Sequence, residues 1–204
     1  MTDTFLDKVY TARTPDETRD IYDAWSKSYE TEVAENGYAT PGRVAEALAG
    51  VVDDKSTGVL DFGCGTGLSG LALKLAGFEN IDGMDLSAEM LAEAKAKGIY
   101  RQLIQVEADA PPPIAQGAYP IVTAIGVIGA GAAPLALFDT LMETLDRGGL
   151  FAFSFNDHTL EDPAYEARLN EWLDPGAARL RFREYGAHLP GRDMKSVVYV
   201  VEKN

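Results

Sequence analysis

The chain has 204 residues, 46% of them hydrophobic and 25% charged, which predicts one globular domain rather than a disordered or membrane-embedded chain. Its formal net charge of −14 argues against a general nucleic-acid-binding protein, because an acidic surface repels phosphate backbones. The single cysteine excludes an internal disulfide, and we find no apolar run typical of a signal peptide or a membrane span, so we expect a cytoplasmic protein with no membrane partner.

The first 50 residues are predicted to be helical. Thr14 is a suitable N-cap and is followed by Pro15, a residue favoured at the first position of a helix. Gly37 suits the end of this helix, because glycine tolerates the left-handed conformation that closes many helices. Pro41 then begins a second predicted helix, PGRVAEALAGVV, whose apolar residues recur at helical spacing.

From residue 57 onward, short apolar segments alternate with amphipathic ones. The predicted strands lie in the segments TGVLDF, NIDGMD, YRQLIQVEAD, YPIVTAIGVI and LFAFSFN. Predicted helices separate them at residues 66–76, after Ser87, and at 133–146. Such alternation is typical of a parallel, doubly wound sheet, and the uncharged fourth segment is expected to form a central strand that is buried on both faces.

The C-terminal part breaks this alternation. After a predicted helix at residues 163–173, the segments ARLRFREYGAHL and MKSVVYVVEK are joined by PGRD, which predicts a hairpin at the edge of the sheet. The fold class is therefore α/β, a mostly parallel, Rossmann-like sheet of seven strands with a C-terminal antiparallel hairpin. We expect a single domain, with residues 1–50 as a helical lid, 57–156 as the ligand-binding core and 157–204 as the terminal helix and hairpin.

The segment VLDFGCGTGLSG, residues 59–70, joins the first predicted strand to a helix. A helix that begins here offers free backbone N–H groups and a positive dipole end, and glycines let a ligand approach the backbone closely. Gly65, Gly67 and Gly70 match the G-x-G-x-x-G pattern of dinucleotide sites. This pattern by itself suits NAD, FAD and S-adenosylmethionine equally.

Three aspartates, spaced 24 residues apart, lie at the carboxyl ends of three predicted strands. Asp61 precedes the glycines, where a carboxylate would repel a diphosphate but suits the ammonium of an amino-acid moiety. Asp85 can accept hydrogen bonds from both hydroxyls of a ribose. Asp109 can accept one from an adenine amino group, and the Ala110 N–H can donate to a ring nitrogen. This order of carboxylates favours S-adenosylmethionine over NAD.

The segments VLDFGCGTG, IDGMDLSAEML, EAD and LDRGGLFAFS resemble, in this order, the motifs of class I S-adenosylmethionine-dependent methyltransferases. The resemblance covers roughly residues 20–156, and IYDAWSKSYE, NGYATPGRVAEAL and GIYRQL resemble more narrowly the Williams–Beuren-region methyltransferase-like group. It implies that S-adenosylmethionine is the cofactor and that the glycine segment, the strand ends and the backbone after the fourth strand hold it. The candidate cofactor-binding residues of the core are Asp61, Gly63, Cys64, Gly65, Gly67, Asp85, Leu86, Met90, Asp109, Ala110, Ile125 and Gly126.

Aromatic residues of the first helix provide a further candidate surface. Tyr22, Trp25 and Tyr29 recur at spacings of three and four, so they share one helical face. They either pack in a core or form a lid whose rings attract a sulfonium through cation–π interaction, and we include them among the candidate cofactor-binding residues. Tyr29 and His158, which follows the fifth strand, are the candidate catalytic residues, whereas His188 is interpreted as a solvated or hydrogen-bonded strand residue.

The sequence therefore predicts an enzyme, an S-adenosylmethionine-dependent methyltransferase that acts by in-line transfer on a small-molecule acceptor and needs no metal. The Asn/Asp-Pro-Pro-aromatic motif of amino-directed nucleic-acid methyltransferases is absent after the fourth strand, where the chain reads AIGVIG. The alternatives are a cofactor-binding protein without catalysis (a sensor or a partner subunit), a protein methyltransferase and a nicotinamide oxidoreductase. The sequence leaves open the methyl acceptor and whether the protein is a monomer or a homodimer.

Overall fold

The computed structural model describes residues 5, 14–108, 110–129 and 131–204. This part of the chain forms a seven-stranded sheet with hydrophobic clusters on both faces. The strands are β1 (Val59–Phe62), β2 (Ile81–Asp85), β3 (Leu103–Gln105), β4 (Ile121–Ala124), β5 (Leu150–Asn156), β6 (Ala178–Leu189) and β7 (Met194–Lys203).

The helices whose residues are described throughout are α1 (Pro15–Glu35), α2 (Thr40–Ala49), α3 (Leu68–Leu75), α4 (Ala88–Ala96), α5 (Ala136–Thr144), α6 (Asp157–Leu160) and α7 (Ala164–Leu173). The hydroxyl of Thr14 caps α1 by accepting a hydrogen bond from the Glu17 N–H at 3.2 Å. Ser87 caps α4 in the same way, accepting from the Met90 N–H at 3.0 Å. The predicted N-cap at Thr14 is therefore confirmed, and α4 begins directly after Ser87 as predicted.

The strand order is β3-β2-β1-β4-β5-β7-β6. The strands from β1 to β5 pair in parallel, whereas β7 is antiparallel to both β5 and β6. The chain first lays down β2 and β3 on one side of β1 and then crosses to β4 on the other side. This reversal creates a switch point between β1 and β4. The predicted fold class, with its C-terminal hairpin, is confirmed.

Alternate residues of the strands pack on opposite faces of the sheet. On β5, the side chains of Phe151, Phe153 and Phe155 lie in a cluster with α5 and α7, whereas Ala152 lies in a second cluster with α2 and α3. All four residues are fully buried. Burial of each phenylalanine stabilises the fold by about 1.5–3 kcal/mol, and this two-sided burial explains why the segment LFAFSFN carries no charge.

Two strands are shorter than the sequence predicts. Residues 100–109 were expected to form one strand, but β3 is limited to three residues because it lies at the edge of the sheet and pairs with β2 alone. Residues 119–128 contribute only four residues to β4, because the chain leaves the extended conformation at Gly126, where φ is +71°. No helix in the described ranges is long and apolar enough to cross a membrane.

Candidate active site

The carboxyl ends of β1, β2 and β4 meet at one edge of the sheet, where ligands of open α/β folds commonly bind. Three pockets adjoin there. We call them the carboxylate pocket, which contains Asp85; the loop pocket, which lies over residues 63–66; and the histidine pocket, which contains His188. Tyr29 of α1 lines all three pockets. The pockets therefore meet at this ring.

The glycine segment forms the floor of the carboxylate and loop pockets. The N–H groups of Gly63 and Cys64 donate to the carbonyl of Met84 at 2.7 and 3.0 Å, which ties the segment to β2. Gly63 has a φ of +69°, and a Cβ there would lie 2.4 Å from Cγ2 of Val127. Gly65 has a φ of +53°, but a Cβ there would meet no protein atom within 4 Å. Gly65 therefore borders open space that a ligand can fill.

Asp85 supplies the carboxylate of the carboxylate pocket. Its Oδ2 accepts a hydrogen bond from the Gly65 N–H at 2.8 Å, and its Oδ1 accepts one from the Ser87 N–H at 2.9 Å. Burial raises the pKa of Asp85, although both backbone hydrogen bonds act in the opposite direction. A carboxylate has about four acceptor sites, so Asp85 can accept two further hydrogen bonds from a ligand with neighbouring hydroxyls.

Asp61 lies behind the glycine segment rather than in a pocket. It is fully buried, and its carboxylate accepts hydrogen bonds from three hydroxyls: Ser69 at 2.6 Å, Tyr100 at 2.7 Å and Thr123 at 2.9 Å. Burial raises the pKa of Asp61 to about 6, and these hydrogen bonds limit the rise. The contact of Asp61 with a ligand ammonium stays a prediction. Ser69, which donates a hydrogen bond to Asp61, also lines the loop pocket and so links the Asp61 carboxylate to that pocket.

The loop pocket contains a polar atom that lacks a partner. Thr66 lines this pocket, and its hydroxyl oxygen is buried and has no hydrogen bond within the described part of the chain. Buried hydroxyls without a partner are uncommon in folded proteins. Thr66 is therefore positioned to bind a polar group of a ligand in the loop pocket.

Helix α1 covers the pockets, and two polar contacts anchor it to the core in addition to the apolar cluster that Trp25 and Val33 form with Leu189 of β6. The hydroxyl of Ser87, at the start of α4, donates a hydrogen bond to Asp23 of α1. Lys97, which follows α4, forms an ion pair with Glu30 of α1 and also donates to the carbonyl of Thr66 at 2.8 Å. Both anchors join α1 to residues that also border the glycine segment or Asp85.

The aromatic stripe of α1 both packs internally and lines the pockets. The ring centroid of Trp25 lies 5.8 Å from that of Tyr22 and 4.7 Å from that of Tyr29. Trp25 is only 2% exposed, and its Nε1 donates to Glu32 at 2.8 Å. Tyr22 and Tyr29 line both the carboxylate and the histidine pockets. The core-packing and lid interpretations of this stripe are therefore compatible.

His188 and His158 occupy very different environments. His188 of β6 is 6% exposed and lines the histidine pocket; its Nδ1 lies 2.8 Å from the Thr40 hydroxyl. Burial lowers the pKa of His188 to about 4. The side chain of His158 is 43% exposed, and its Nδ1 lies 3.7 Å from a carboxylate oxygen of Glu161. Between the two histidines, the structure therefore places His188 at a pocket and His158 at the surface.

The structure brings most of the predicted site residues together. The carboxylate pocket is lined by Tyr22, Tyr29, Gly63, Gly65, Asp85, Leu86, Met90, Ile125 and Gly126. Cys64 lines the loop pocket, Trp25 lines the histidine pocket, and Ala110 lines a further pocket beside Leu86. Among the described residues, those predicted for the site that line none of these four pockets are Asp61, Gly67 and His158. Asp109 lies outside the described residues.

Sequence reasoning missed several residues of the histidine pocket. Ser154 and Asn156, at the carboxyl end of β5, line it together with Tyr38, and the hydroxyl of Ser154 accepts a hydrogen bond from the Gly126 N–H at 3.0 Å. The polar residues at the end of the apolar segment LFAFSFN were a usable signal for the first two. No comparable signal marked His188, because its position depends on contacts between distant parts of the chain.

The geometry does not support a cysteine nucleophile or a metal site in the described part of the chain. Burial raises the pKa of the Cys64 thiol well above its usual range, which disfavours the thiolate that a nucleophilic cysteine needs. Within the part of the chain that the structure describes, no group of three or more histidine, cysteine, aspartate or glutamate residues is placed to hold a metal ion.

Comparison with known proteins gives a consistent result. Residues 35–196 match the model of a family described as a methyltransferase domain. Over 157 residues the chain is 30% identical to the human Methyltransferase-like protein 27, a match that covers 76% of this chain and 63% of the human protein. The chain thus spans less than two thirds of that relative's length.

Solved structures share the fold at low sequence identity. One is a chain from a Haloferax volcanii complex between the Trm112 methyltransferase activator and a methyltransferase, with a TM-score of 0.70, 18% identity, and coverage of 91% of this chain and 97% of that one. Another is the cyclase SpnF, with a TM-score of 0.67, 16% identity, and coverage of 94% and 97%. At these identities the likeness concerns the fold alone.

Proposed function

Because this chain belongs to a family of methyltransferase domains, we propose that it uses S-adenosylmethionine to methylate an uncharged small molecule bound in the histidine pocket. The observation that carries this proposal is the junction of the pockets. The histidine pocket shares Tyr22, Tyr29 and Gly126 with the carboxylate pocket. A ligand in one pocket would therefore lie next to a ligand in the other, as transfer between two bound molecules requires.

The residues of the carboxylate and loop pockets fit S-adenosylmethionine. Asp85 has acceptor sites for two ribose hydroxyls, and the unpaired hydroxyl of Thr66 suits the amino-acid end. The open space at Gly65 lets a ligand approach the backbone. When bound, the cofactor supplies a sulfonium methyl group that is transferred with loss of a neutral thioether.

The protein's own contribution is to align the acceptor and to exclude water. Tyr29 lies where the three pockets meet, so its ring is positioned to orient both ligands. Helix α1 closes the site through Asp23 and Glu30, which contact Ser87 and Lys97 of the core. Opening and closing of this helix would admit the acceptor and then shield it from solvent.

The character of the histidine pocket supports an uncharged acceptor. None of the described residues that line it is an aspartate, glutamate, lysine or arginine. Binding a charged molecule in such surroundings costs free energy because no opposite charge compensates for lost hydration. The formal net charge of −14 also disfavours a nucleic-acid acceptor.

A label-transfer experiment tests the acceptor class. The protein is incubated with S-adenosylmethionine carrying an isotopically labelled methyl group and with three separate fractions: a cell metabolite extract, total protein and total RNA. We expect labelled products among neutral metabolites, detected by mass spectrometry. Labelling confined to protein or RNA would contradict the proposal. Asp85→Ala serves as the inactive variant, and Glu89→Ala, on the exposed side of α4, is its matched control.

A further inference from the structure

His188 ends a chain of buried hydrogen bonds between α2 and the β6–β7 hairpin. Its Nδ1 lies 2.8 Å from the hydroxyl oxygen of Thr40, which lies 2.9 Å from the hydroxyl oxygen of Ser196. Arg43 donates to that same Ser196 oxygen at 3.1 Å. Thr40 and Ser196 are fully buried, so the hydroxyl hydrogens must find their acceptors within this chain of contacts.

The chemistry of these groups fixes the direction of the hydrogen bonds. The hydroxyl of Ser196 contacts only Arg43 and Thr40 among the described residues, and an arginine cannot accept a hydrogen bond. The Ser196 hydrogen must therefore point to the Thr40 oxygen. Thr40 in turn must donate its own hydrogen to Nδ1 of His188, because a proton on Nδ1 would leave the Thr40 hydrogen buried without an acceptor among the described residues.

The direction of this chain sets the tautomer of His188. If Nδ1 accepts the hydrogen bond from Thr40, a neutral imidazole carries its proton on Nε2. No hydrogen bond to another described residue uses Nε2, and the ring lines the histidine pocket. We propose that His188 presents Nε2–H to this pocket as a neutral hydrogen-bond donor that binds an oxygen of the methyl acceptor and does not remove a proton from it.

The surroundings of the ring agree with a neutral donor. Burial lowers the pKa of His188 to about 4, so the imidazole is uncharged near neutral pH. Tyr38 packs edge-on against it with ring centroids 5.3 Å apart, and Leu189 and Ile128 line the same pocket. The ligand class that fits is an uncharged, largely apolar small molecule that carries a carbonyl or ether oxygen. This identification of the ligand rests on the proposed function, whereas the state of His188 does not.

Nuclear magnetic resonance of His188 tests its tautomer without any acceptor. The chain has two histidines, so in a His158→Gln variant all imidazole signals come from His188. Long-range ¹H–¹⁵N correlation spectra at pH 7 should show the proton on Nε2 and an unprotonated Nδ1. A proton on Nδ1, or on both nitrogens, would overturn the proposal. Thr40→Val, which removes the hydroxyl, should shift the tautomer ratio, and Thr40→Ser should restore it.

A second experiment uses the label-transfer assay. His188→Asn retains an amide near the Nδ1 position but no donor near Nε2, whereas the longer side chain of His188→Gln can place an amide N–H there. We expect His188→Asn to raise KM for the acceptor about tenfold with little change in kcat, and His188→Gln to restore most of the affinity. A comparable loss of kcat in both variants, of the roughly hundredfold or greater size typical of a lost general base, would overturn the proposal.

The two experiments separate this inference from the proposed function. The spectra can contradict the Nε2–H tautomer even where the protein methylates small molecules. Conversely, the spectra can support that tautomer even where labelling is confined to protein or RNA, in which case the proposed function alone fails.

Discussion

Asp61 and Asp85 lie near the carboxyl ends of the neighbouring strands β1 and β2, yet their carboxylates face different surroundings. Asp85 keeps acceptor sites directed to a pocket and is held by two backbone N–H groups. Asp61 is enclosed by three hydroxyls and lines none of the four pockets described above. Two residues that look equivalent in sequence therefore lead to different predictions for the effects of their replacement.

Replacement of Asp85 should weaken cofactor binding strongly. Two hydrogen bonds from ribose hydroxyls to a carboxylate are each worth roughly 1.5–3 kcal/mol, so Asp85→Ala should lower the affinity for S-adenosylmethionine on the order of a hundredfold or more. We expect a smaller loss for Asp109→Ala, which would remove one hydrogen bond to adenine. Calorimetric titration measures both, with Glu89→Ala as the control. Equal, small losses would show that the strand ends do not hold the cofactor as proposed.

Asp61 should make the stability of the protein depend on pH. Its pKa rises from 3.8 to about 6 on folding because of burial. Below pH 3.8 the group is protonated in both the folded and the unfolded chain; as the pH rises towards 6, only the unfolded chain releases the proton, so stability falls. The loss should reach about 3 kcal/mol relative to Asp61→Asn. Urea unfolding of both proteins from pH 3.5 to 7.5 measures it, and a constant difference between them would contradict the assignment.

At the scale of the element, α1 has two functions that share the same residues. Its aromatic stripe packs against itself and also roofs the pockets, with Tyr29 at their junction. Asp23 and Glu30 join the helix to Ser87 and Lys97, and Trp25 and Val33 form a separate hydrophobic cluster with Leu189 of β6. Such an attachment can open without disrupting the two hydrophobic clusters of the sheet, which lie elsewhere.

We predict that α1 is less protected from hydrogen exchange without ligand than with S-adenosylhomocysteine, the demethylated product. Lys97→Met removes the ion pair with Glu30 and the bond to the Thr66 carbonyl. It should increase exchange over residues 14–40 and weaken product binding by up to about fivefold, since a partly exposed ion pair contributes little. Lys95→Met, on the exposed side of α4, is the control. Equal protection with and without product would argue that α1 is a fixed part of the core.

At the scale of the whole molecule, the glycine segment is compatible with several cofactors, and the charged residues around it favour one of these cofactors over the others. Asp61 lies behind the segment and Asp85 lies beside it, so two carboxylates flank the place where a dinucleotide would put its diphosphate. We therefore predict saturable binding of S-adenosylmethionine and S-adenosylhomocysteine and no binding of NAD. Calorimetry with all three ligands decides this, and NAD binding without a response to S-adenosylmethionine would contradict it.

Methyl transfer by this protein should not need a metal ion. The described residues contain no cluster of metal-binding side chains, and transfer from a sulfonium has a neutral leaving group that needs no electrophilic assistance. Dialysis against a chelator should leave the rate of label transfer unchanged within about twofold, a difference of roughly 0.4 kcal/mol in the barrier. Activity that is abolished by the chelator and restored by one divalent ion would be the contrary result.

The sequence by itself determined those features that depend on neighbouring residues. The alternation of strands and helices, the caps at Thr14 and Ser87, the C-terminal hairpin and the glycine segment were all predictable, because hydrophobic periodicity and cap chemistry act over a few residues. The carboxylate of Asp85 was predictable for the same reason, since parallel strands place their carboxyl ends at one edge.

Only the tertiary structure decided what depends on distant contacts. Thr40 and His188 are separated by 148 residues, yet their side chains lie 2.8 Å apart, and His188 rather than His158 lines a pocket. The three hydroxyls around Asp61 likewise come from separate parts of the chain. The pattern of neighbouring residues in the sequence cannot specify such contacts. The partner of each side chain depends on how helices and strands pack on the two faces of the sheet, and these elements are distant along the chain.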